Sequence, residues 1–129
     1  ELRHQLGEEL LVRHRCYYPL LAPALGLIKG LAHITGGGLP GKMPAILPDA
    51  LAASFRLGSW QIPPIFSLIQ QEGSVGTDEM YRIFNMGLGM VAVCGEENVT
   101  SLQESIPDAM VVGRIVDRDG GRQVLWEEG

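Results

Sequence analysis

The most chemically informative stretch of the sequence is HITGGG at residues 33–38. Three consecutive glycines are conformationally costly, about 0.5–1 kcal/mol each relative to alanine in regular structure. They are expected where the backbone must approach another group closely. After a buried strand and before a helix they would point N–H groups at an anion. Thr35 can add a hydroxyl donor, and Lys29 or Lys42 a cation. A tight turn that merely needs positive φ explains the same glycines equally well.

His33 precedes these glycines, and imidazole is a side chain that commonly acts in proton transfer. It can therefore donate a hydrogen bond to a substrate or relay a proton. The alternative is a structural histidine whose ring is satisfied within the protein. His4 and His14 lie in the predicted helical N-terminal region without metal-ligand spacing, so we expect both to be solvated. The sequence contains no Walker A loop, because no Ser or Thr follows Gly41-Lys42.

A second group of polar residues lies in DEMYRIFNMGLGM, residues 78–90. Arg82 can hold a phosphate through two guanidinium N–H groups. It can equally form a surface ion pair with Asp78 or Glu79, one helical turn earlier. Asn85 can contact a substrate or end the helix as a cap in the left-handed conformation. The residue types alone leave these alternatives open.

Composition and charge exclude several classes of function. The formal net charge is −5, and lysine and arginine form no run, so an extended nucleic-acid surface is not expected. No apolar run reaches the roughly 18 residues that span a membrane. Cys16 and Cys94 lie far apart, without zinc-site spacing and without a secretory leader. We therefore predict no metal site, no membrane or nucleic-acid partner, and two buried cysteines in a reducing cytoplasm.

Apolar periodicity and the positions of glycine and proline predict the order of elements. Helices are predicted at residues 1–12, 17–25, 39–47, 63–71, 77–84 and 96–104, and strands at residues 27–34, 50–57, 87–94, 109–117 and 122–126. The turn Asp119-Gly120-Gly121 predicts a hairpin between the last two strands. Trp60 is predicted to cover the helix that follows it.

This order predicts an α/β or α+β layered sandwich with one mixed β-sheet flanked by helices. Hydrophobic residues make up 46% of the chain and aromatic residues 6%, so the core must be mainly aliphatic. A chain of 129 residues can bury about two-thirds of its unfolded surface. The sequence shows no internal repeat and no linker. Residues 1–129 are therefore predicted to form a single domain.

Several runs together resemble one enzyme family. HITGGG (33–38), KMPAILP (42–48), SWQIPPIF (59–66) and DEMYRIFNMGLGM (78–90) resemble the C-terminal half of aminoimidazole ribonucleotide synthetase, the phosphoribosylformylglycinamidine cyclo-ligase. They occur in the order and spacing of that family. GEELL (7–11) with RHRCYYPLL (13–21) is similar to the helical start of that half. The combination is specific, and it covers nearly the whole chain.

The resemblance implies an ATP-dependent reaction of purine biosynthesis. Family members convert formylglycinamidine ribonucleotide and ATP to aminoimidazole ribonucleotide, ADP and phosphate, with Mg²⁺. ATP is thought to phosphorylate the formyl oxygen, and the amidine nitrogen then displaces it to close the ring. The resemblance also implies a cytoplasmic homodimer. ATP and Mg²⁺ would be bound mainly by an N-terminal domain that these residues do not include, so the chain alone is predicted to be inactive.

The resemblance also assigns site residues. Thr35, Gly36, Gly37 and Gly38 would approach the ribose phosphate of the substrate or the nucleotide cleft. His33, Arg82 and Asn85 match polar positions near the same cleft, and His33 and Asn85 are the predicted catalytic residues. RHRCYY departs from the commoner Pro-Thr-Arg-containing sequence, which puts any substrate contact from Arg13 or Arg15 in doubt.

Two other functions are open alternatives. A selenophosphate synthetase or thiamine-phosphate kinase shares the family's architecture but matches HITGGG and EMYRIFN less closely. A non-catalytic phosphate-binding or dimerisation module would use the glycine loop without chemistry.

Overall fold

A computed structural model describes residues 2–129, with side chains described from residue 5 onward. The α-helices are α1 (Leu2–Leu10), α2 (Tyr18–Leu21), α3 (Gly38–Lys42), α4 (Pro64–Gly73), α5 (Thr77–Ile83) and α6 (Val99–Ser105). Short 3₁₀ helices follow at Ala22–Leu27, Met43–Ile46 and Glu96–Asn98. The strands are β1 (Ile28–His33), β2 (Leu51–Arg56), β3 (Met90–Cys94), β4 (Gly113–Asp117) and β5 (Val124–Glu127).

The strands form an α+β arrangement with two sheets. A three-stranded mixed sheet has the order β4-β2-β5, with β4 antiparallel and β5 parallel to β2. Strands β1 and β3 pair antiparallel in a second sheet, where His33 lies opposite Met90. The predicted class and the mixed sheet are confirmed. The prediction of a single sheet is wrong, because β1 and β3 pair with each other and not with β2.

The predicted hairpin between the last two strands is also wrong. Strand β2 separates β4 from β5, so the turn at Gly120 (φ +64°) does not join paired strands. The physical reason lies in β2, where residues 52–55 are all buried. A strand covered on both faces suits a central position with a neighbour on each edge. Burial of these four small or apolar residues on a central strand outweighs the hairpin preference of Asp119-Gly120-Gly121.

Both sheets contribute to one core. The buried cluster joins Ala32 and Ile34 at the end of β1, Val91 of β3, Phe55 of β2 and Val124 of β5. Leu39 and Met43, from α3 and the 3₁₀ helix after it, complete this cluster at 1% exposure each. The core is mainly aliphatic, as predicted. The glycine loop thus connects two elements, β1 and α3, that are both anchored in the core.

Two features concern localisation and redox state. None of the helices in the described part of the chain is long and apolar enough to cross a bilayer. Both cysteines are free, and Cys94 is half-buried while Cys16 is exposed. The prediction of two buried cysteines is therefore wrong for Cys16, which lies in the irregular segment between α1 and α2.

A polar contact joins all three strands of the mixed sheet. The Ser54 hydroxyl of β2 donates to Glu127 Oε1 of β5 at 2.7 Å, and Arg114 Nη2 of β4 donates to the same oxygen at 2.9 Å. These two hydrogen bonds, the Ser54 bond first, lower the pKa of Glu127 below its ordinary value of 4.5. The carboxylate therefore holds the edges of the sheet to the central strand.

This contact predicts a pH dependence of stability. Because the pKa of Glu127 is lower in the folded than in the unfolded chain, its contribution is present above the unfolded pKa. That contribution is lost as the pH falls through the folded pKa. We expect Glu127→Gln to lower the melting temperature at pH 7 and to lose less stability than wild type below about pH 4.5. Thermal unfolding at both pH values tests this, with exposed Glu128→Gln as control. Parallel losses in Glu127→Gln and wild type would contradict it.

Candidate functional site

The glycine loop lies between β1 and α3, as the sequence predicts. After β1, the Ile34 amide donates to Gly89 O at 3.0 Å, which extends the pairing of β1 with β3 by one residue. A turn then follows, closed by a hydrogen bond from the Gly38 amide to Thr35 O at 3.0 Å. Gly37 precedes α3 with φ +96°. The turn with positive φ is therefore present, and the loop also precedes a helix, which the anion-binding explanation requires.

Gly38 is required by packing against α5. It is buried, it has φ +59°, and a Cβ built on it would overlap the carbonyl oxygen of Tyr81. The same Cβ would lie 2.8 Å from Phe84 O. Only glycine lets the loop approach the C-terminal end of α5 this closely. The loop and the segment that carries Arg82 and Asn85 are therefore adjacent, as the sequence resemblance implies.

The rest of the loop is open to solvent. Thr35, Gly36 and Gly37 are exposed, and a Cβ added to Gly36 would meet no atom within 4 Å. Lys42 lies at the end of α3, a little over one helical turn from Gly37. Lys29 lies near the opposite end of β1 from His33, about 13 Å away along an extended strand. The fold thus brings Lys42, and not Lys29, to the helix that follows the loop.

Arg82 and Asn85 both have partners within their own segment. Arg82 Nη1 lies 3.2 Å from Glu79 Oε2 in an exposed i,i+3 ion pair. This is the surface pairing that the residue types left as an alternative. An exposed pair of this kind contributes little to stability, typically about 0–1 kcal/mol. Exchanging Glu79 for a phosphate is therefore energetically accessible to Arg82.

Asn85 begins a tight turn that leads from α5 into β3. Its Oδ1 accepts a hydrogen bond from the Gly87 amide at 2.9 Å, and its carbonyl oxygen accepts one from Leu88 at 3.0 Å. The left-handed residues are Met86 (φ 51°) and Gly87 (φ 96°). The alternative in which Asn85 itself is a left-handed cap is therefore excluded. Two successive residues with positive φ are typical of a type I′ turn, and the asparagine side chain stabilises it from the first position.

Trp60 holds this turn from the core side. Its indole Nε1–H donates to Met86 O at 3.0 Å, and the side chain is 6% exposed. The sequence predicted an apolar cover for the next helix, and Trp60 does lie in the core cluster. Its hydrogen bond to the turn was not predictable from spacing, because Trp60 and Met86 are 26 residues apart. The backbone conformation around Asn85 is thus fixed by a buried contact.

His33 and His14 form a contact that the sequence did not indicate. Their Nε2 atoms are 2.7 Å apart and their ring centroids 4.9 Å. His33 is exposed, and one of its ring nitrogens is satisfied within the protein by His14, as in the structural alternative. His14 is also exposed, but it was predicted to be simply solvated, and it pairs with His33 instead. No sequence motif indicates a contact between two histidines that are 19 residues apart.

Tyr17 completes the surroundings of His33. Its ring meets the rings of His14 and His33 edge-on at centroid distances of 6.1 and 6.4 Å. Its hydroxyl lies where a side chain on Gly89 would be, so Gly89 makes room for it. Gly89 also accepts the hydrogen bond from Ile34. One residue therefore links the tyrosine, the start of β3 and the glycine loop.

A cavity of about 300 Å³ lies beside this group. Its lining includes Tyr17, residues 87–92 of the turn and β3, and Leu102 of α6. Arg15 and Asp108 lie at the same cavity and form an ion pair at 3.1 Å. Arg15 is therefore paired with a carboxylate in this conformation, as Arg82 is with Glu79.

The described side chains offer hydrogen-bond donors and no metal centre. Within residues 5–129 no three His, Cys, Asp or Glu side chains converge to hold a metal ion. The pKa of Tyr81, next to the loop, is raised by burial, so its hydroxyl is neutral at physiological pH. An anionic ligand can bind to the backbone amides of the exposed residues Gly36 and Gly37 and to an arginine whose ion pair is exchangeable. The histidine pair can hold a proton.

Comparison with known proteins supports one family. Residues 1–125 match the family described as AIR synthase related protein, C-terminal domain. A phosphoribosylformylglycinamidine cyclo-ligase of Enterococcus faecalis is 49% identical over 125 residues, which cover 95% of this chain and 36% of that protein. One of Bacillus cytotoxicus is 46% identical over 124 residues, 89% of this chain and 35% of that protein. The chain thus spans about a third of the length of these relatives.

Proposed function

The chain belongs to the family of AIR synthase related C-terminal domains, and we propose that it is the substrate-binding part of a phosphoribosylformylglycinamidine cyclo-ligase. Its substrate would be formylglycinamidine ribonucleotide, and its product aminoimidazole ribonucleotide. The cyclo-ligase names of similar proteins support this assignment over selenophosphate synthetase or thiamine-phosphate kinase. So does the exposed glycine loop packed directly against the Arg82/Asn85 segment.

In this proposal the loop binds the ribose phosphate. Thr35, Gly36 and Gly37 are exposed residues just before α3, and in this proposal the two glycine amides and the Thr35 hydroxyl donate to the anion. Arg82 adds a guanidinium after it exchanges its exposed partner Glu79 for the phosphate. Gly38 packs the loop against the C-terminal end of α5, so the proposed phosphate contacts and the Asn85 turn are held next to each other.

His33 and Asn85 are the proposed catalytic residues. His33 ends β1 beside the loop and would hold or accept a proton as the amidine nitrogen closes the ring. Asn85 would orient the substrate from a turn that Trp60 fixes from the core. Both reacting ends belong to one substrate molecule, so holding it folded supplies much of the rate enhancement.

ATP and Mg²⁺ complete the proposed reaction. Together they supply activation of the formyl oxygen as a leaving group. We propose that both are bound mainly by an N-terminal domain of a homodimeric enzyme, because the chain spans about a third of the length of its cyclo-ligase relatives. The 129-residue chain by itself should then not turn over ATP.

A methyl group on the open part of the loop tests this proposal. Gly36→Ala places a methyl group where a ligand would approach, in a backbone conformation that accepts alanine. We expect it to weaken formylglycinamidine ribonucleotide binding at least tenfold, about 1.4 kcal/mol, without lowering the melting temperature. Isothermal titration calorimetry on the chain measures the affinity.

Gly26→Ala is the matched control. Gly26 also has no atom within 4 Å of an added Cβ, but it lies in the 3₁₀ helix before β1, at the other end of that strand from the loop. We expect unchanged affinity in this variant. Equal affinity in wild type, Gly36→Ala and Gly26→Ala would remove the loop from the binding site.

A further inference from the structure

The contact between His14 and His33 joins two separate parts of the fold. His14 belongs to the irregular segment between α1 and α2, and His33 is the last residue of β1. Their Nε2 atoms lie 2.7 Å apart, and their ring planes are inclined at 54°. This distance is that of a hydrogen bond, in which one ring nitrogen donates and the other accepts.

The single proton of a neutral imidazole ring limits how the two histidines can pair. A neutral imidazole carries its proton on one nitrogen only, so a donor at Nε2 must accept at Nδ1, and the reverse. When both rings are neutral, the two histidines must therefore hold opposite tautomers. His33 has its Nε2 occupied by His14 and only Nδ1 left for any other partner. A histidine without such a neighbour would present either nitrogen.

The groups around the pair favour a fixed arrangement. Tyr17 meets both rings edge-on, and its hydroxyl lies against Gly89. Arg15, whose guanidinium carbon lies 5.8 Å from the Tyr17 ring centroid, is paired with Asp108. The tautomer of His33 is therefore coupled to that of its direct partner, His14.

We propose that His14 is a positioning residue, which occupies Nε2 of His33 and sets its ring orientation, so that His33 meets the substrate through Nδ1. The substrate side of this inference rests on the proposed function. The pairing itself rests only on the observed contact. The contact between His14 and His33 does not follow from the usual sequence of the family, because His14 lies in RHRCYY, the stretch that departs from the commoner sequence.

Nitrogen-15 NMR of the chain at pH 9 tests the pairing, because ring-nitrogen shifts distinguish the two tautomers. In wild type we expect complementary tautomers, so the fraction of His33 that carries its proton on Nε2 should equal the fraction of His14 that carries it on Nδ1. In His14→Ala the tautomer populations of His33 should change, because its Nε2 partner is removed. His14→Gln keeps a side chain that can donate to Nε2 or accept from it, so the Nε2 shift of His33 should stay closer to wild type than in His14→Ala. Wild-type populations that are not complementary, or His33 ring-nitrogen shifts that are the same in wild type and His14→Ala, would overturn the proposal.

Kinetics of the two-domain enzyme then separate this proposal from the proposed function. We expect kcat to fall about five- to tenfold in His14→Ala with little change in KM, as for the loss of one hydrogen bond, and to recover in His14→Gln. If wild type converts the ribonucleotide but His14→Ala is unimpaired, the positioning role fails and the proposed function stands. If wild type has no cyclo-ligase activity, the substrate role of both histidines fails, whatever the NMR result.

Discussion

Gly38→Ala is expected to destabilise the domain by about 3–5 kcal/mol. Two costs combine at this position. An alanine at φ +59° is strained, and its Cβ would overlap the Tyr81 carbonyl oxygen and approach Phe84 O to 2.8 Å. Both are backbone atoms at the C-terminal end of α5, so neither can turn away as a flexible side chain would. Urea unfolding of wild type and variant measures the loss, and a fall in the soluble fraction is the expected result if the variant does not fold.

Gly36→Ala is the matched control for this effect. The two glycines are two positions apart, but an alanine at Gly36 meets no atom within 4 Å. Its free energy of unfolding should stay within about 0.5 kcal/mol of wild type. Equal stabilities for the two variants would mean that the contact between the loop and α5 is not tight. The adjacency on which the proposed site depends would then be lost.

His33→Ala is expected to lower kcat/KM of the two-domain enzyme by about 10²- to 10⁴-fold, the usual contribution of general acid–base catalysis. His33 is exposed, so its removal should leave the free energy of unfolding within about 0.5 kcal/mol of wild type. A steady-state assay of ribonucleotide conversion, combined with urea unfolding, separates a catalytic effect from misfolding.

His33→Gln distinguishes two roles of this residue. Glutamine can hydrogen bond but cannot carry a proton near neutral pH. If His33 moves a proton, glutamine should be nearly as damaging as alanine. If His33 only donates a hydrogen bond to the substrate, glutamine should recover much of the activity. Wild-type activity in His33→Ala would exclude His33 from the site altogether.

The sequence correctly predicted several features that depend on neighbouring residues only. The glycine loop between β1 and α3, the proline start of α4 and the acidic start of α5 all lie where glycine, proline and charge place them. These signals act within one or two turns of backbone, so neighbouring residues suffice to interpret them. The family resemblance then joined the loop to the Arg82/Asn85 segment, and the fold brings them into contact.

Predictions failed where another interaction competed with the signal in the sequence. Asp119-Gly120-Gly121 is a good hairpin turn, yet β2 inserts between β4 and β5 because its fully buried residues require a neighbour on each edge. Asn85 is not left-handed, because its side chain instead stabilises a turn whose positive φ angles fall on the next two residues. In both cases a competing interaction decided the outcome.

By itself the sequence determined the fold class, the aliphatic core, the glycine loop and the family, because composition, periodicity and motif order are properties of the chain alone. The tertiary structure decided the pairing of strands, the packing of Gly38 on α5, the hold of Trp60 on the Asn85 turn and the contact of His14 with His33. The physical reason is that each of these depends on atoms many residues apart, and their distances are set only when the whole core has packed.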